Sequence, residues 1–307
     1  MSTLIRIGTR ESQLAVWQAT QVKEQLMRNG LEAELVYIKS EGDTDTRTPL
    51  YEMGVQGIFT RSLDTALLNN KIDIAVHSMK DVPTQLPQGI IQAAVLKRGP
   101  VNDLLAFKTP LNELFREDYI AHIATSSIRR KAQWLHRFPR HQVHNLRGNV
   151  NTRLQKLQNE KWDAAIFAQA GLERIGLRPE KSVVLDWMLP APAQGAIMVV
   201  CREGDAFVLE SCQPCNDPDT ALCTKIERDF LRTLLGGCST PISALAVIEN
   251  DVVIFSGNIL SLDGSEKVET ESKAPVEDAI HLGREEAVNL LKIGGRQIAD
   301  KIKHAAY

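Results

Sequence analysis

Apolar positions recur along the chain with two alternating periods, and the alternation predicts an α/β fold. Residues 4–8 form an apolar run of strand length. Over residues 12–29, Leu14, Trp17, Val22 and Leu26 recur at helical spacing, and Gly30 supplies the stop. Residues 33–38 alternate as a strand does. Residues 58–70 read as a helix with Leu63, Leu67 and Leu68 on one face, and residues 72–76 as the next strand. Strands separated by helices predict a largely parallel sheet covered on both faces.

A second unit starts near Val101, with strands at 120–124, 142–146 and 164–168. Each runs into a turn of polar or small residues and then a helix. Residues 190–192 read as a hinge and 196–201 as a further apolar strand. Residues 212–218, rich in Pro, Asn and Asp, read as a linker. Beyond them come a helix at 219–235, a GGC loop, strands at 242–249, 252–262 and 267–273, and one long closing helix at 276–303. That order suggests a small α+β domain. No internal repeat or low-complexity tract is visible.

The chain has 307 residues, 43% apolar and 24% charged, which suits two or three domains with a sizeable core. Its net charge of −2 gives no global pull toward nucleic acid or membrane. MSTLIRIGTRES has no apolar core of signal-peptide length, and no uncharged run is long enough to span a bilayer, so a cytoplasmic chain is expected. Five cysteines without a secretory signal argue for free thiols, not disulfides.

Charge is unevenly placed. Residues 119–159 contain no Asp or Glu but hold Arg129, Arg130, Lys131, Arg137, Arg140, Arg147, Arg153 and Lys156. In ATSSIRR, Thr125, Ser126 and Ser127 follow a strand where a helix begins, with Arg129 and Arg130 just inside. Free backbone N–H groups at such a start attract anions. LRGNVNTR repeats the arrangement with Arg147, Asn149 and Arg153, and Arg10 follows the first strand. Arginines at the carboxyl ends of strands stand where open α/β sheets bind ligands, and their forks suit carboxylates and phosphates. A solvated basic face is the competing reading for any single arginine. Nucleic acid is disfavoured because aromatics are few and no stacking platform is evident.

Two further places carry candidate chemistry. In AVHSMKDVP, at 75–83, Asp81 stands beside Lys80. Alone it fits a turn carboxylate ahead of Pro83. Near arginines it would stay ionised, and could stabilise a forming cation or pass protons. His77 reads as a satisfied strand-end histidine. In LLGGCSTP, Cys238 follows two glycines that leave its thiol accessible, as a nucleophile or attachment point requires. Cys212 and Cys215 form C-x-x-C near Cys223, yet no second pair or histidine lies at metal-ligand spacing. His136, His141 and His144 are too loosely spaced, so no metal centre is predicted.

The motifs IGTRESQLA, AVHSMKDVP, ATSSIRR, LRGNVNTRL, AGLERIGL, PAQGA and LLGGCSTPI, in this order, resemble the hydroxymethylbilane synthase (porphobilinogen deaminase) family over essentially the whole chain. The resemblance implies two periplasmic-binding-protein-like α/β domains plus a small C-terminal α+β domain. Domain 1 would be discontinuous, residues 1–98 and 195–215; domain 2 would span 99–194 and domain 3 residues 216–307.

It also implies a transferase of haem biosynthesis. Such an enzyme adds four porphobilinogen units in turn to a dipyrromethane cofactor, each with loss of ammonia, and water releases the linear tetrapyrrole. Cys238 would carry the cofactor by a thioether, and Asp81 would be the catalytic aspartate. Arg10, Ser12, Arg129, Arg130, Arg147 and Arg153 match cofactor- and substrate-binding positions. Lys80, Thr125, Ser126, Ser127, Asn149, Arg174 and Gln194 complete the shell, and Phe59 matches an active-site-loop aromatic. A monomer is implied.

Departures from the family pattern put Gln56 where a lysine is common, Glu41 where a basic residue is common, and Pro192–Ala193 ahead of Gln194. The first two fall in residues 39–59, expected to form a lid, and remove positive charge from the cleft mouth. The competing class is a solute-binding or effector-sensing protein on the same scaffold, which has no use for Cys238.

Overall fold

The computed structural model describes residues 4–39, 60–234 and 240–305. Glu41, Gln56, Phe59 and Cys238 lie outside these residues.

The described residues group into two compact units. One holds the chain up to Gly99 together with Gln194–Leu222; the other holds Pro100–Ala193 and the chain from Cys223 onward. The first unit contains β1 (Ile5–Thr9), α1 (Gln13–Arg28), β2 (Ala33–Tyr37), α2 (Arg61–Leu68), β3 (Ile74–Ser78) and β4 (Ile90–Val95). The second contains β5 (Asp103–Phe107), α3 (Leu111–Leu114), β6 (His122–Ala124), α4 (Ile128–Arg137), β7 (Gln142–His144), α5 (Val150–Asn159), β8 (Ala164–Ala168), α6 (Gln169–Glu173) and β9 (Ser182–Leu185). Then β10 (Ile197–Arg202) and α7 (Ala206–Cys212) belong to the first unit. Helix α8 (Pro218–Thr233) leads to β11 (Ile242–Glu249), β12 (Val252–Leu260), β13 (Lys267–Pro275), α9 (Leu282–Leu290) and α10 (Arg296–Ala305).

The first sheet has the order β2-β1-β3-β10-β4 and the second β7-β6-β8-β5-β9. Their polarity is the same: three parallel strands, one antiparallel to them, and a last strand parallel to the first three. The antiparallel member is in each case the strand that enters from the other unit's stretch of sequence. The fold thus repeats without a sequence repeat. A separate antiparallel sheet, β11-β12-β13, carries α9 and α10. This is the α/β architecture with a small α+β part that the alternation of periods implies.

Burial explains the elements. Ile5, Ile7, Val22, Leu26, Ile74 and Val199 share the core of the first unit. Its α1 starts at Ser12, whose side chain accepts the Ala15 N–H, and ends before Gly30, where φ is +79°. In the second unit Trp134, Ile123 and Ile166 fill one core, while Leu146, Phe167 and Leu172 fill another.

Several expectations are corrected. Residues 212–218 are not a loose linker. Cys212 and Cys215 belong to the first core, and Asn216 accepts the Val95 N–H at 2.9 Å. All four cysteines among the described residues are buried and outside any disulfide. Leu68 faces solvent, leaving Leu63, Ala66 and Leu67 as the buried stripe of α2. The closing helix is two helices, because Gly294 has φ +126° and breaks the ladder between α9 and α10. Strands β4, β5 and β9 have no counterpart in the sequence reading.

Candidate functional site

Within the first unit, candidate side chains gather at one edge of the sheet. Strands β1 and β3 run parallel, so Arg10 and Ser12 after β1 stand at the same end as Lys80 and Asp81 after β3. Strand β10 runs the other way, with Ile197 opposite Ser78, so Gln194 just before it reaches that edge too.

The backbone that presents Asp81 is anchored on both sides. Ser78 Oγ pairs with the Gln18 amide at 2.8 Å, which ties the end of β3 to α1. A 3-10 turn follows at Met79–Asp81. Met79 and Val82 are buried, the Met79 N–H donates to the Ala196 carbonyl, and the Val82 N–H closes the turn on Met79. Between these anchors Asp81 is half-buried, and its carboxylate has no hydrogen bond or ion pair with the described residues. Lys80 Nζ donates to Gln194 Oε1 at 3.2 Å, and Gln194 is fully buried.

His77 departs from the expected satisfied histidine. It is buried, its Nε2 has no partner, and burial pushes its imidazole down to about 4, with the Arg10 charge adding to the effect. It is therefore neutral at pH 7.

In the second unit, β6, β7 and β8 end at one edge and β5 begins there. Ser127 caps α4 by accepting the Arg130 N–H, and Thr125 Oγ1 accepts the Ser127 N–H. Ser126 Oγ bonds Asn145 Oδ1 at 2.6 Å and accepts the Leu146 N–H, which joins the ends of β6 and β7. Asn149 caps α5 through the Thr152 N–H at 2.9 Å. Gly148 is required there: φ is +110°, and a Cβ would meet Thr152 Cγ2 at 2.8 Å. Arg153 Nε donates to the Gly148 carbonyl at 2.7 Å. Arg147 is buried, and Arg174, just past α6, is lowered to about 10 by burial.

Arg129 and Arg130 are both buried and share one counter-charge, Asp103, which is fully buried. Arg130 donates through Nε and Nη2 to Asp103 and through Nη1 to the Ile166 carbonyl. Arg129 Nη2 lies 2.7 Å from Asp103 and its Nη1 donates to the Leu189 carbonyl at 2.8 Å. Its Nε is buried without a partner. Burial pulls the Arg129 guanidinium down, Asp103 opposing and Arg130 adding to the shift. Two arginines share this one carboxylate, which leaves an excess positive charge and the Arg129 Nε as a buried donor.

Asp103, Gln133 and the Leu189 carbonyl were not singled out from sequence. Asp103 offered one signal, a lone charge heading the apolar run DLLAF. Gln133 offered none. The Pro192–Ala193 departure also has a visible setting. Ala193 is fully buried at φ +61°, and its N–H donates to Glu227 at 2.6 Å.

A family model described as porphobilinogen deaminase, dipyromethane cofactor binding domain, matches residues 5–210. One for the porphobilinogen deaminase C-terminal domain matches residues 221–292. The porphobilinogen deaminase of Pelobacter propionicus is 40% identical over 305 residues, 97% of this chain and 97% of its own length. That of Geobacter sulfurreducens is 41% identical over 302 residues, covering 97% and 94%. Among solved structures, the methionine-binding protein MetQ shares 16% identity over 68% of this chain and 87% of its own, with a TM-score of 0.43, a likeness too slight to add to the topology. With both models and nearly full-length relatives in agreement, the chain belongs to the porphobilinogen deaminase family.

Proposed function

We propose that this chain is a hydroxymethylbilane synthase: it condenses four porphobilinogen molecules in turn, each with loss of ammonia, and hydrolyses off the linear tetrapyrrole. The observation that carries its chemistry is the Asp81 carboxylate, half-buried, held between two buried anchors and without a partner among the described residues.

When bound through Cys238, the dipyrromethane supplies a nucleophilic pyrrole carbon as primer. Ammonia leaving the substrate's aminomethyl group leaves positive charge on that ring. Asp81 opposes this charge and would take up the proton lost from the nucleophilic ring carbon once the new bond has formed. Burial of Met79 and Val82 fixes the backbone that presents the carboxylate. Lys80, oriented by Gln194, and Arg10 and Ser12 serve the acidic side chains at the same edge. In the second unit Arg129, Arg130, Arg147, Arg153 and Arg174, with Thr125, Ser126, Ser127 and Asn149, receive the remaining carboxylates. Gln56 and Phe59 belong to the active-site loop in this reading.

The functional domains are residues 1–98 with 195–215, 99–194 and 216–307. The protein acts as a cytoplasmic monomer on a small molecule, without nucleic acid. No helix among the described residues is long and apolar enough to cross a membrane.

The test combines intact mass with turnover. Wild-type protein carries the mass of one dipyrromethane, Cys238→Ser does not, and Asp81→Asn keeps the increment while kcat drops by about 100-fold or more. Bare sequence mass and no condensation in the wild type would instead point to a binding protein. Near-normal turnover of Asp81→Asn would remove Asp81 from the chemistry.

A further inference from the structure

Arg129 does not hold its place alone. One helical turn along α4, Gln133 lies on the same face, 6% exposed. Its Oε1 accepts the Leu189 N–H at 2.9 Å, and its Nε2 donates to the Leu189 carbonyl at 2.9 Å. The side-chain amide thus grips both polar groups of one backbone residue. That same Leu189 carbonyl receives Arg129 Nη1 at 2.8 Å. The second Nε2 proton goes to Ser243 Oγ at 3.0 Å. Ser243 is fully buried on β11 and stands five residues after Cys238 in the sequence. On the neighbouring residues, the Ala244 N–H donates to the Pro190 carbonyl at 3.3 Å.

We propose that Gln133 is a positioning residue for Arg129. By clasping Leu189 it fixes the carbonyl that orients the Arg129 fork, and through Ser243 it holds that carbonyl in register with the strand leaving the cofactor-attachment loop. The inference rests on the reading of Arg129 as a carboxylate receptor. Its physical basis is local. Asp103 is shared between two arginines, so it fixes only one corner of the Arg129 guanidinium. The Leu189 carbonyl fixes a second corner, and the direction in which the unpartnered Nε points follows from the two. Without the amide, the Leu189 N–H loses its Gln133 acceptor and the Leu189 carbonyl loses the Gln133 donor that it shares with Arg129.

The experiment uses the full chain with Gln133→Met, Gln133→Glu and Arg129→Lys, and the double variant Gln133→Met/Arg129→Lys. The fraction of molecules carrying the dipyrromethane mass, and the KM and kcat for porphobilinogen, are measured for each. Gln133→Met should lower the loaded fraction and raise KM by about tenfold with a smaller change in kcat. Gln133→Glu keeps the bond to the Leu189 N–H and nearly the same shape, so it guards against a failure to fold. Its carboxylate should capture the Arg129 fork and raise KM at least as far. In the double variant the KM effects should fall well short of multiplying, because Gln133 acts through Arg129. Effects that multiply, or an unchanged KM and loaded fraction in Gln133→Glu, overturn the proposal. A wild-type chain without the mass increment and without condensation overturns the functional reading instead, so the two failures are told apart.

Discussion

His77 and Asp81 lie four positions apart, and the fold treats them in opposite ways. Asp81 is left at the surface of the site, whereas His77 is sealed in as a neutral imidazole with an unpartnered Nε2. The imidazole is pushed from 6.5 to about 4, first by burial and then by the Arg10 charge. A histidine with a depressed folded value favours the fold above its unfolded value and loses that contribution as pH falls. The window is therefore from about 6.5 down to about 4. Over it, stability should decline by up to about 3 kcal/mol from this group. Urea midpoints taken across the range should show this slope in the wild type and a shallower one in His77→Leu. Equal slopes would mean that His77 titrates normally. At this scale the sequence was half legible. Asp81, Arg10 and Arg147 could be singled out because each follows closely on an apolar strand, and Arg129, Arg130 and Arg153 because they stand in the first turns of the next helix. Asp103, Gln133 and Leu189 could not, since Asp103 and Arg130 lie 27 positions apart, Gln133 and Leu189 56, and Gln133 and Ser243 110.

Elements were legible where burial on both faces made a short apolar run unmistakable. Strand β8, AAIFA, falls on residues 164–168 as its pattern predicts, and β11 on 242–249 likewise. Elsewhere the pattern ran past the backbone. The helical period continues through residues 276–303, yet Gly294 interrupts it, because a period reports which residues face the core and not whether φ stays helical. Helix α9 also shows a packing that no period reveals. At Gly283 it approaches α8 so closely that a Cβ would lie 1.9 Å from the Ile226 carbonyl oxygen. Backbone atoms cannot give way as a flexible side chain can. Gly283→Ala should therefore push the two helices apart and destabilise the protein by about 1–3 kcal/mol or more. A thermal midpoint within a degree of the wild type would show that α9 slides without cost.

The two five-stranded sheets share one order, and in the first the antiparallel strand returns from beyond the second unit's stretch of chain. For the first unit this has a direct consequence. Strand β10 pairs with β3 over Ile74–Ser78 on one side and with β4 on the other, so among the described residues β4 has no strand neighbour without it. The same stretch of chain brings Ile197, Val199, Cys201, Val208, Cys212 and Cys215 into the core beside Ile5, Ile7 and Ile74. Gln194, the partner of Lys80, precedes it. Residues 1–98 thus hold Asp81 but neither the interior strand of their sheet nor a filled core. A lone apolar sheet face with a missing strand exposes both hydrophobic area and unpaired backbone groups. A fragment of residues 1–98 should accordingly show no cooperative thermal transition by far-UV circular dichroism. Joining residues 194–217 to it through a flexible linker should restore one. The linker must allow β10 to run antiparallel to β3, which its entry from the Gln194 end already requires. A sharp transition in the shorter fragment would mean that α1, α2 and the three parallel strands fold without the returning strand. Persistent disorder in the longer one would mean that the returning strand needs the second unit to deliver it.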